Sequence, residues 1–107
     1  MTTTHPFGLP PSTLDKLNSI FTQHNAIDSV VIYGSRAKGN YRVGSDIDLT
    51  IKGDEIPFEE LMQIEDQIDD LMLPYTVDLS QYGHLENMDL VEHINRVGVK
   101  IYVRDDR

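Results

Sequence analysis

Apolar residues recur along the chain with two spacings, one typical of helices and the other of strands. Helical spacing predicts three helices, from Ser12 to about His24, from Pro57 to about Leu73 and from about Asn87 to Val97. Short apolar or alternating runs predict four strands, at 30–33, 46–51, 76–80 and 99–103. This order predicts a two-layer α+β domain, in which helices pack on a mixed β-sheet of about four strands.

Individual residues refine these predictions. Ser12 and Asp15 have the spacing of a capping box at the start of the first helix, and Pro74 is expected to end the second. The run 30–33 is continuously apolar, which is typical of a strand buried on both faces. The run 46–51 alternates instead, so one of its faces is expected to join the core while the other carries acidic side chains.

The first eleven residues differ from the rest of the chain. They contain three of the five prolines and show no periodic apolar pattern. We therefore expect a flexible lead-in at 1–11 and a single domain at 12–107.

Composition excludes several classes of function. The chain has no cysteine, so disulfides, thiolate metal sites and cysteine nucleophiles are excluded. Eighteen acidic against nine basic residues give a net charge of −9, which opposes direct binding to nucleic acid or to an anionic membrane. No apolar run approaches the roughly 20 residues of a membrane span, and the start lacks the features of a signal peptide. We expect a soluble, cytoplasmic protein.

The segment after the first predicted strand has features of a phosphate-binding loop. Gly34 and Ser35 follow the buried strand, and the next four residues are predicted to form one helical turn. Such a turn offers backbone N–H groups and a hydroxyl to a phosphate. Three of the nine basic residues fall within seven positions here, at Arg36, Lys38 and Arg42.

Two carboxylates follow ten residues later. Asp46 and Asp48 are two positions apart on a predicted strand, so their side chains are expected to share a face, with Cα atoms roughly 6.5 Å apart. Two like charges this close favour a cation between them, and Mg²⁺ is the usual hard cation beside a phosphate. Asp78, on the polar face of another predicted strand, makes a third acid. Three carboxylates are sufficient for a site that holds two metal ions.

Gly34-Ser35, a ten-residue spacer and Asp46-Ile47-Asp48 together resemble the signature of the DNA polymerase β-like nucleotidyltransferase superfamily, and the surrounding sequence is similar to its minimal nucleotidyltransferases. The resemblance covers about residues 12–103. It implies a polymerase β-like fold and transfer of a nucleoside monophosphate from a nucleoside triphosphate to a hydroxyl, with release of pyrophosphate.

The resemblance also implies a role for each site residue. Asp46, Asp48 and Asp78 would bind Mg²⁺, with two ions expected, and Asp78 would help to deprotonate the acceptor. Gly34 and Ser35 would hold the triphosphate. The remaining phosphate contacts are expected from the basic side chains Arg36, Lys38 and Arg42.

Stand-alone members of this size resemble the antitoxins of HEPN/MNT toxin–antitoxin modules. This resemblance implies an Mg²⁺-dependent protein adenylyltransferase that takes AMP from ATP, modifies a tyrosine hydroxyl of a cognate HEPN-family RNase toxin and so neutralises it. Two alternatives stay open: an antitoxin that acts by binding alone, and a nucleotidyltransferase that modifies a small molecule such as an antibiotic. The sequence leaves open the base of the nucleotide, the acceptor residue, the number of nucleotides added and the stoichiometry with the partner.

Overall fold

A computed structural model describes residues 6–104, and its elements follow the predicted order. The helices are α1 (Pro11–Phe21), α2 (Ser35–Lys38), α3 (Phe58–Asp69) and α4 (Met88–Val97), and the strands are β1 (Ile27–Tyr33), β2 (Ile47–Gly53), β3 (Val77–Gln81) and β4 (Val99–Val103). Short 3₁₀ turns at Pro6–Gly8 and Tyr82–His84 precede α1 and α4. Every predicted helix and strand is present in the described residues.

The four strands form one mixed sheet in the order β3-β2-β1-β4. β1 is antiparallel to both of its neighbours, whereas β2 and β3 are parallel and are joined through α3. This arrangement confirms the prediction of an α+β fold with a four-stranded mixed sheet.

The central strand β1 packs against helices on both faces of the sheet. Val30 and Ile32 belong to the main core, which includes residues of α1 and α3. Val31 and Tyr33, which alternate with them, join Ile94 of α4 in a second buried cluster. The prediction that this strand is buried on both faces is therefore confirmed.

Three predicted helix boundaries differ from the structure, and one of them is the end of α1, which lies at Phe21 rather than near His24. The capping box does not form: α1 begins at Pro11 with no side-chain cap, because Pro11 already has the backbone angle of a first helical residue and Ser12 lies inside the helix. α3 ends at Asp69 rather than near Leu73. It ends there because Met72, before Pro74, adopts a left-handed conformation with φ of 56°.

Part of the predicted lead-in packs against the domain. Residues 1–5 of that prediction lie outside the described residues. Leu9 has no exposed surface and belongs to the main core, and Phe7 packs against the same core. Packed structure therefore begins before the expected boundary at residue 12. No helix within residues 6–104 is long and apolar enough to cross a membrane.

Candidate active site

The chain turns sharply at Gly34, directly after β1. Gly34 has φ of 76° and ψ of −154°, a combination that residues with a Cβ rarely adopt. A Cβ built at this position would lie 2.3 Å from the Oδ2 atom of Asp48. The absence of a side chain therefore allows both the turn and a close approach between the turn and the acidic strand.

Ser35 begins the one-turn helix α2 that was predicted, and Gly39 ends it in the left-handed region with φ of 92°. The first N–H groups of so short a helix have no acceptor within it. The Gly34 N–H, in contrast, donates to Nε2 of His93 at 3.2 Å. Ser35 and the start of α2 are thus the parts of this turn with donors suited to a phosphate.

Strand pairing brings two of the predicted acids together. Asp48 on β2 lies directly opposite Asp78 on the parallel strand β3, and opposite Tyr33 on β1. Ile47, on the alternate face of β2, belongs to the main core, so the Asp48 side chain lies on the face that α4 partly covers. Asp46 is exposed and directly precedes β2 instead of lying within it.

The charges of two of the acids act on the third, Asp48. Partial burial raises the pKa of Asp48 above its ordinary value, and the charges of Asp78 and Asp46 raise it further, while His93 opposes the shift. Burial likewise raises the pKa of the Tyr33 hydroxyl; a hydrogen bond with Ser80 lowers it, and the two neighbouring carboxylates add to the rise. The site is a region of concentrated negative charge beside the Gly34 turn.

These carboxylates suit Mg²⁺ by their chemistry. Among residues 6–104, no three His, Cys, Asp or Glu side chains are close enough to hold a metal ion together as they stand. Carboxylate oxygens are nevertheless hard ligands, and the repulsion that disfavours ionised Asp48 is what a divalent cation offsets. Asp46, Asp48 and Asp78 therefore have the donor chemistry for a hard divalent cation, although they do not converge on one point as they stand.

The three predicted phosphate-binding cations do not share one environment. Lys38 and Arg42 are exposed, and neither forms an ion pair with another described residue. Arg36 is only 3% exposed. Its Nε and Nη2 donate to the Ser45 carbonyl and its Nη1 to the Phe7 carbonyl, so a contact between Arg36 and a phosphate would compete with these bonds.

Arg36 also lies between two aromatic rings. Its guanidinium carbon is 5.5 Å from the centroid of Tyr41 and 4.8 Å from that of Tyr75. Cation–π contacts of this kind add to the hydrogen bonds of a buried arginine. Arg36 thereby joins the segment before α1, the loop that precedes Asp46 and the connection that precedes β3.

Sequence reasoning did not single out His93 or Tyr33. Both lie at the Gly34 turn, where the His93 ring stands edge-on to the Tyr33 ring with centroids 6.2 Å apart. One signal was available for His93: it lies three residues after Leu90 and four before Val97, within the apolar stripe of its helix. A histidine in such a stripe points toward the sheet.

Comparison with protein families and solved structures finds several similarities. The profile of the family described as polymerase beta, nucleotidyltransferase matches residues 15–107. The chain is similar to one from a toxin–antitoxin crystal structure with AMP-PNP, with 16% identity, a TM-score of 0.68 and coverage of 90% of this chain and 75% of that one. A search of curated proteins finds no match.

Two further structures show the same likeness. One is a complex of tri-AMPylated Shewanella oneidensis HEPN toxin with MNT antitoxin, with 13% identity, a TM-score of 0.64 and coverage of 87% of this chain and 71% of that one. The other is the toxin–antitoxin complex MntA-HepT, with 12% identity, a TM-score of 0.66 and coverage of 89% and 74%. At these identities the likeness establishes a shared fold.

Proposed function

Because the chain belongs to the polymerase beta nucleotidyltransferase family, we propose that it is an antitoxin that transfers AMP from ATP to a tyrosine hydroxyl of a HEPN-family toxin. Transfer releases pyrophosphate and neutralises the toxin. Two solved complexes of similar fold support this proposal. One contains a tri-AMPylated HEPN toxin, which supports the toxin as partner, and another contains AMP-PNP, which supports an adenine nucleotide as substrate.

One observation carries this proposal: the Gly34 turn packs directly against the acidic strands. The Oδ2 atom of Asp48 approaches Gly34 so closely that no Cβ fits there, and Asp78 lies opposite Asp48 in the sheet. A triphosphate at Ser35 would therefore have carboxylates beside its phosphates. A phosphate-binding turn next to paired carboxylates is the arrangement needed for metal-assisted phosphoryl transfer.

In this proposal, different residues bind the triphosphate and the metal ions. Ser35 and the start of α2 donate hydrogen bonds to the triphosphate, and the exposed side chains of Lys38 and Arg42 add positive charge. Asp46, Asp48 and Asp78 would hold Mg²⁺, for which two ions are expected. When bound, Mg²⁺ stabilises negative charge on the phosphate oxygens.

The reaction is a substitution at the α-phosphorus of ATP. The tyrosine oxygen of the acceptor forms a bond to this phosphorus, and the bond between it and the oxygen leading to the β-phosphate breaks. Pyrophosphate leaves with that oxygen and its electron pair. The exposed carboxylate of Asp78 accepts the proton of the attacking hydroxyl.

The openness of the site supports a protein as acceptor. Asp46 and Asp78 are exposed, and α4 packs mainly against β1 on this face of the sheet. A tyrosine projecting from the surface of another protein has access to such a face. A small molecule would be enclosed by fewer residues at such an open site than in a pocket.

A second candidate function is neutralisation by binding alone. It is favoured by the finding that, in the described part of the chain, no three potential ligands are already close enough to hold a metal. In that case the antitoxin would cover its toxin without changing it covalently.

The test is to co-express the chain with the product of the neighbouring reading frame, the proposed HEPN-family toxin, and to measure the intact mass of that product with and without ATP and Mg²⁺. We expect mass increases in steps of AMP for the wild type and none for Asp46→Asn/Asp48→Asn. The matched control is Asp15→Asn/Asp54→Asn, which removes two exposed acids outside the site and should leave the modification intact.

Three results would count against this function. A stable complex with unmodified toxin supports binding alone, and modification by the Asp46→Asn/Asp48→Asn variant excludes the assigned carboxylates. The small-molecule alternative is tested by incubating the protein with labelled ATP and antibiotics in the absence of a protein partner. Transfer of the label to an antibiotic would establish that alternative.

A further inference from the structure

His93 of α4 contacts the Gly34 turn although the two residues are distant in sequence. The Gly34 N–H donates to Nε2 of His93 at 3.2 Å. The imidazole is half-buried and stands nearly perpendicular to the Tyr33 ring, at an interplanar angle of 80°. A side chain from the C-terminal part of the chain therefore holds the backbone where the candidate phosphate-binding turn begins.

Nε2 of His93 is the acceptor in this bond, so it supplies a lone pair to the Gly34 N–H. The Gly34 N–H is thereby already used and is not available to a phosphate. His93 thus directs one donor of the turn away from the nucleotide.

The turn needs support because glycine is conformationally permissive. Gly34 adopts φ of 76° and ψ of −154° without steric cost but is equally free to leave this conformation, so a hydrogen bond from its N–H restricts it. Its position also matters for chemistry, since Asp48 lies directly against it. A shift of the Gly34 backbone would change the position of Ser35, the next residue. It would also change the space beside the Asp48 carboxylate.

His93 itself is held firmly. The next residue, Ile94, is 2% exposed and packs with Val31 and Tyr33 of β1. One turn later, a Cβ at Gly98 would lie 2.6 Å from a methyl carbon of Val31, so the end of α4 lies very close to the strand. These two contacts place His93 on a rigid support.

We propose that His93 is a positioning residue for nucleotide binding: by accepting the Gly34 N–H, it fixes the turn that presents Ser35 to the triphosphate and Gly34 to Asp48. This inference deepens the proposed function and rests on it for the identity of the ligand. His93 touches neither nucleotide nor acceptor in this proposal and acts only through Gly34.

The first experiment detects the bond without any activity. In ¹⁵N-labelled protein, a scalar coupling across the hydrogen bond between the Gly34 amide nitrogen and Nε2 of His93 is expected, together with slow exchange of the Gly34 amide. His93→Leu should abolish the coupling and accelerate the exchange. Absence of the coupling in the folded wild type overturns the proposal.

The second experiment measures the Kd of ATP with Mg²⁺ by calorimetry for the wild type, His93→Leu and His93→Gln. Gln is the conservative variant, because its side-chain oxygen can accept the Gly34 N–H. We expect His93→Leu to weaken binding about tenfold, as loss of one hydrogen bond predicts, and Gln to restore most of the affinity. The control is His84→Gln, an exposed histidine outside the turn.

The outcomes separate the two proposals. If the wild type binds ATP but transfers no AMP, the proposed function fails, and the ratio of Kd values still decides the role of His93. If His93→Leu binds ATP as tightly as the wild type, the positioning role is wrong. Equal weakening by Leu and Gln also overturns it, as does an absence of ATP binding by the wild type.

Discussion

Asp48 lies between the main elements of the candidate site. It lies against Gly34, opposite Tyr33 on one neighbouring strand and opposite Asp78 on the other. Burial and two neighbouring negative charges make its ionised form unfavourable in the folded chain. Such strain is typical of residues placed for catalysis rather than for stability.

The raised pKa of Asp48 predicts a specific dependence of stability on pH. The folded chain binds this proton more tightly than the unfolded chain, so Asp48 lowers the free energy of unfolding as pH rises from its ordinary value of 3.8 through the raised pKa. Asp48→Asn should therefore be more stable than the wild type at pH 7, with a difference that shrinks toward pH 4.

Urea denaturation between pH 4 and 8, with a chelator present, measures this difference. Asp54→Asn is the control, since it removes the same charge from an exposed position outside the site. A wild type that is more stable than Asp48→Asn at pH 7 contradicts the prediction.

At the scale of residues, the sequence identifies charges better than their surroundings. Asp48 and Asp78 could each be predicted to lie on the polar face of its own strand, because strands alternate with a period of two. The placement of Arg36 could not, because its partners are the carbonyls of Phe7 and Ser45, and backbone acceptors leave no mark in a sequence. The approach of His93 likewise depends on how a distant helix packs.

At the scale of elements, hydrogen bonds order the connection between α2 and β2. Gly39 ends α2, and Ser45, just before Asp46, accepts an N–H from Arg42 through its hydroxyl and two from Arg36 through its carbonyl. The ten-residue spacer therefore has a defined conformation that leads into the acidic strand.

Loss of the Arg36 side chain should destabilise the fold. Arg36→Met leaves the carbonyls of Ser45 and Phe7 without their donors and removes the cation between two tyrosine rings, so we expect a loss of about 2–4 kcal/mol. Lys38→Met removes the same charge from an exposed position and should change stability by no more than about 0.5 kcal/mol.

Urea denaturation of both variants at pH 7 gives the comparison. Equal stability of Arg36→Met and Lys38→Met would show that the buried bonds contribute nothing. Only the free energy of unfolding is compared here, since both residues lie in the candidate phosphate-binding segment.

The sequence predicts the elements well where periodicity is strong and less well where they end. α4 begins after Asn87, whose side chain accepts from the N–H groups of Asp89 and Leu90, and it ends at Val97, directly before Gly98, as expected. The end of α3 was predicted too late because apolar residues continue with helical spacing to Leu73. A single left-handed residue, Met72, ends the helix earlier, and no pattern of apolar positions reports a backbone angle.

At the scale of the whole molecule, the chain carries a net charge of −9, and three of its acids belong to the proposed active site. The charges of Asp46 and Asp78 act on Asp48, which lies against the Gly34 turn. The mixed sheet that brings them there was predicted in its class, but its strand order was not, because pairing between distant strands is decided by the packing of the whole domain.

Mg²⁺ should stabilise the folded chain if the carboxylates bind it. A ligand that binds only the folded state raises its stability with concentration, by about 1.4 kcal/mol at ten times its Kd, which corresponds to a rise in Tm of roughly 5–10 °C for a chain of this size. The effect should disappear in Asp46→Asn/Asp48→Asn.

Thermal unfolding with MgCl₂, and with NaCl at equal ionic strength, separates binding from screening of the net charge. The same rise in Tm in both salts, or in both wild type and variant, would be inconsistent with a specific site.

The position of β1 between β2 and β4 affects how the protein is made. On the ribosome, β1 and the Gly34 turn emerge well before β4, but Val30 of β1 pairs with Tyr102 of β4, and the turn's partner His93 lies 59 residues after Gly34. Pairings between residues so far apart in sequence form slowly and only after both have been synthesised. The Gly34 turn therefore reaches its final form only after α4 and β4 have been synthesised, so a shorter nascent chain carries the three acids of the proposed site before the turn is supported.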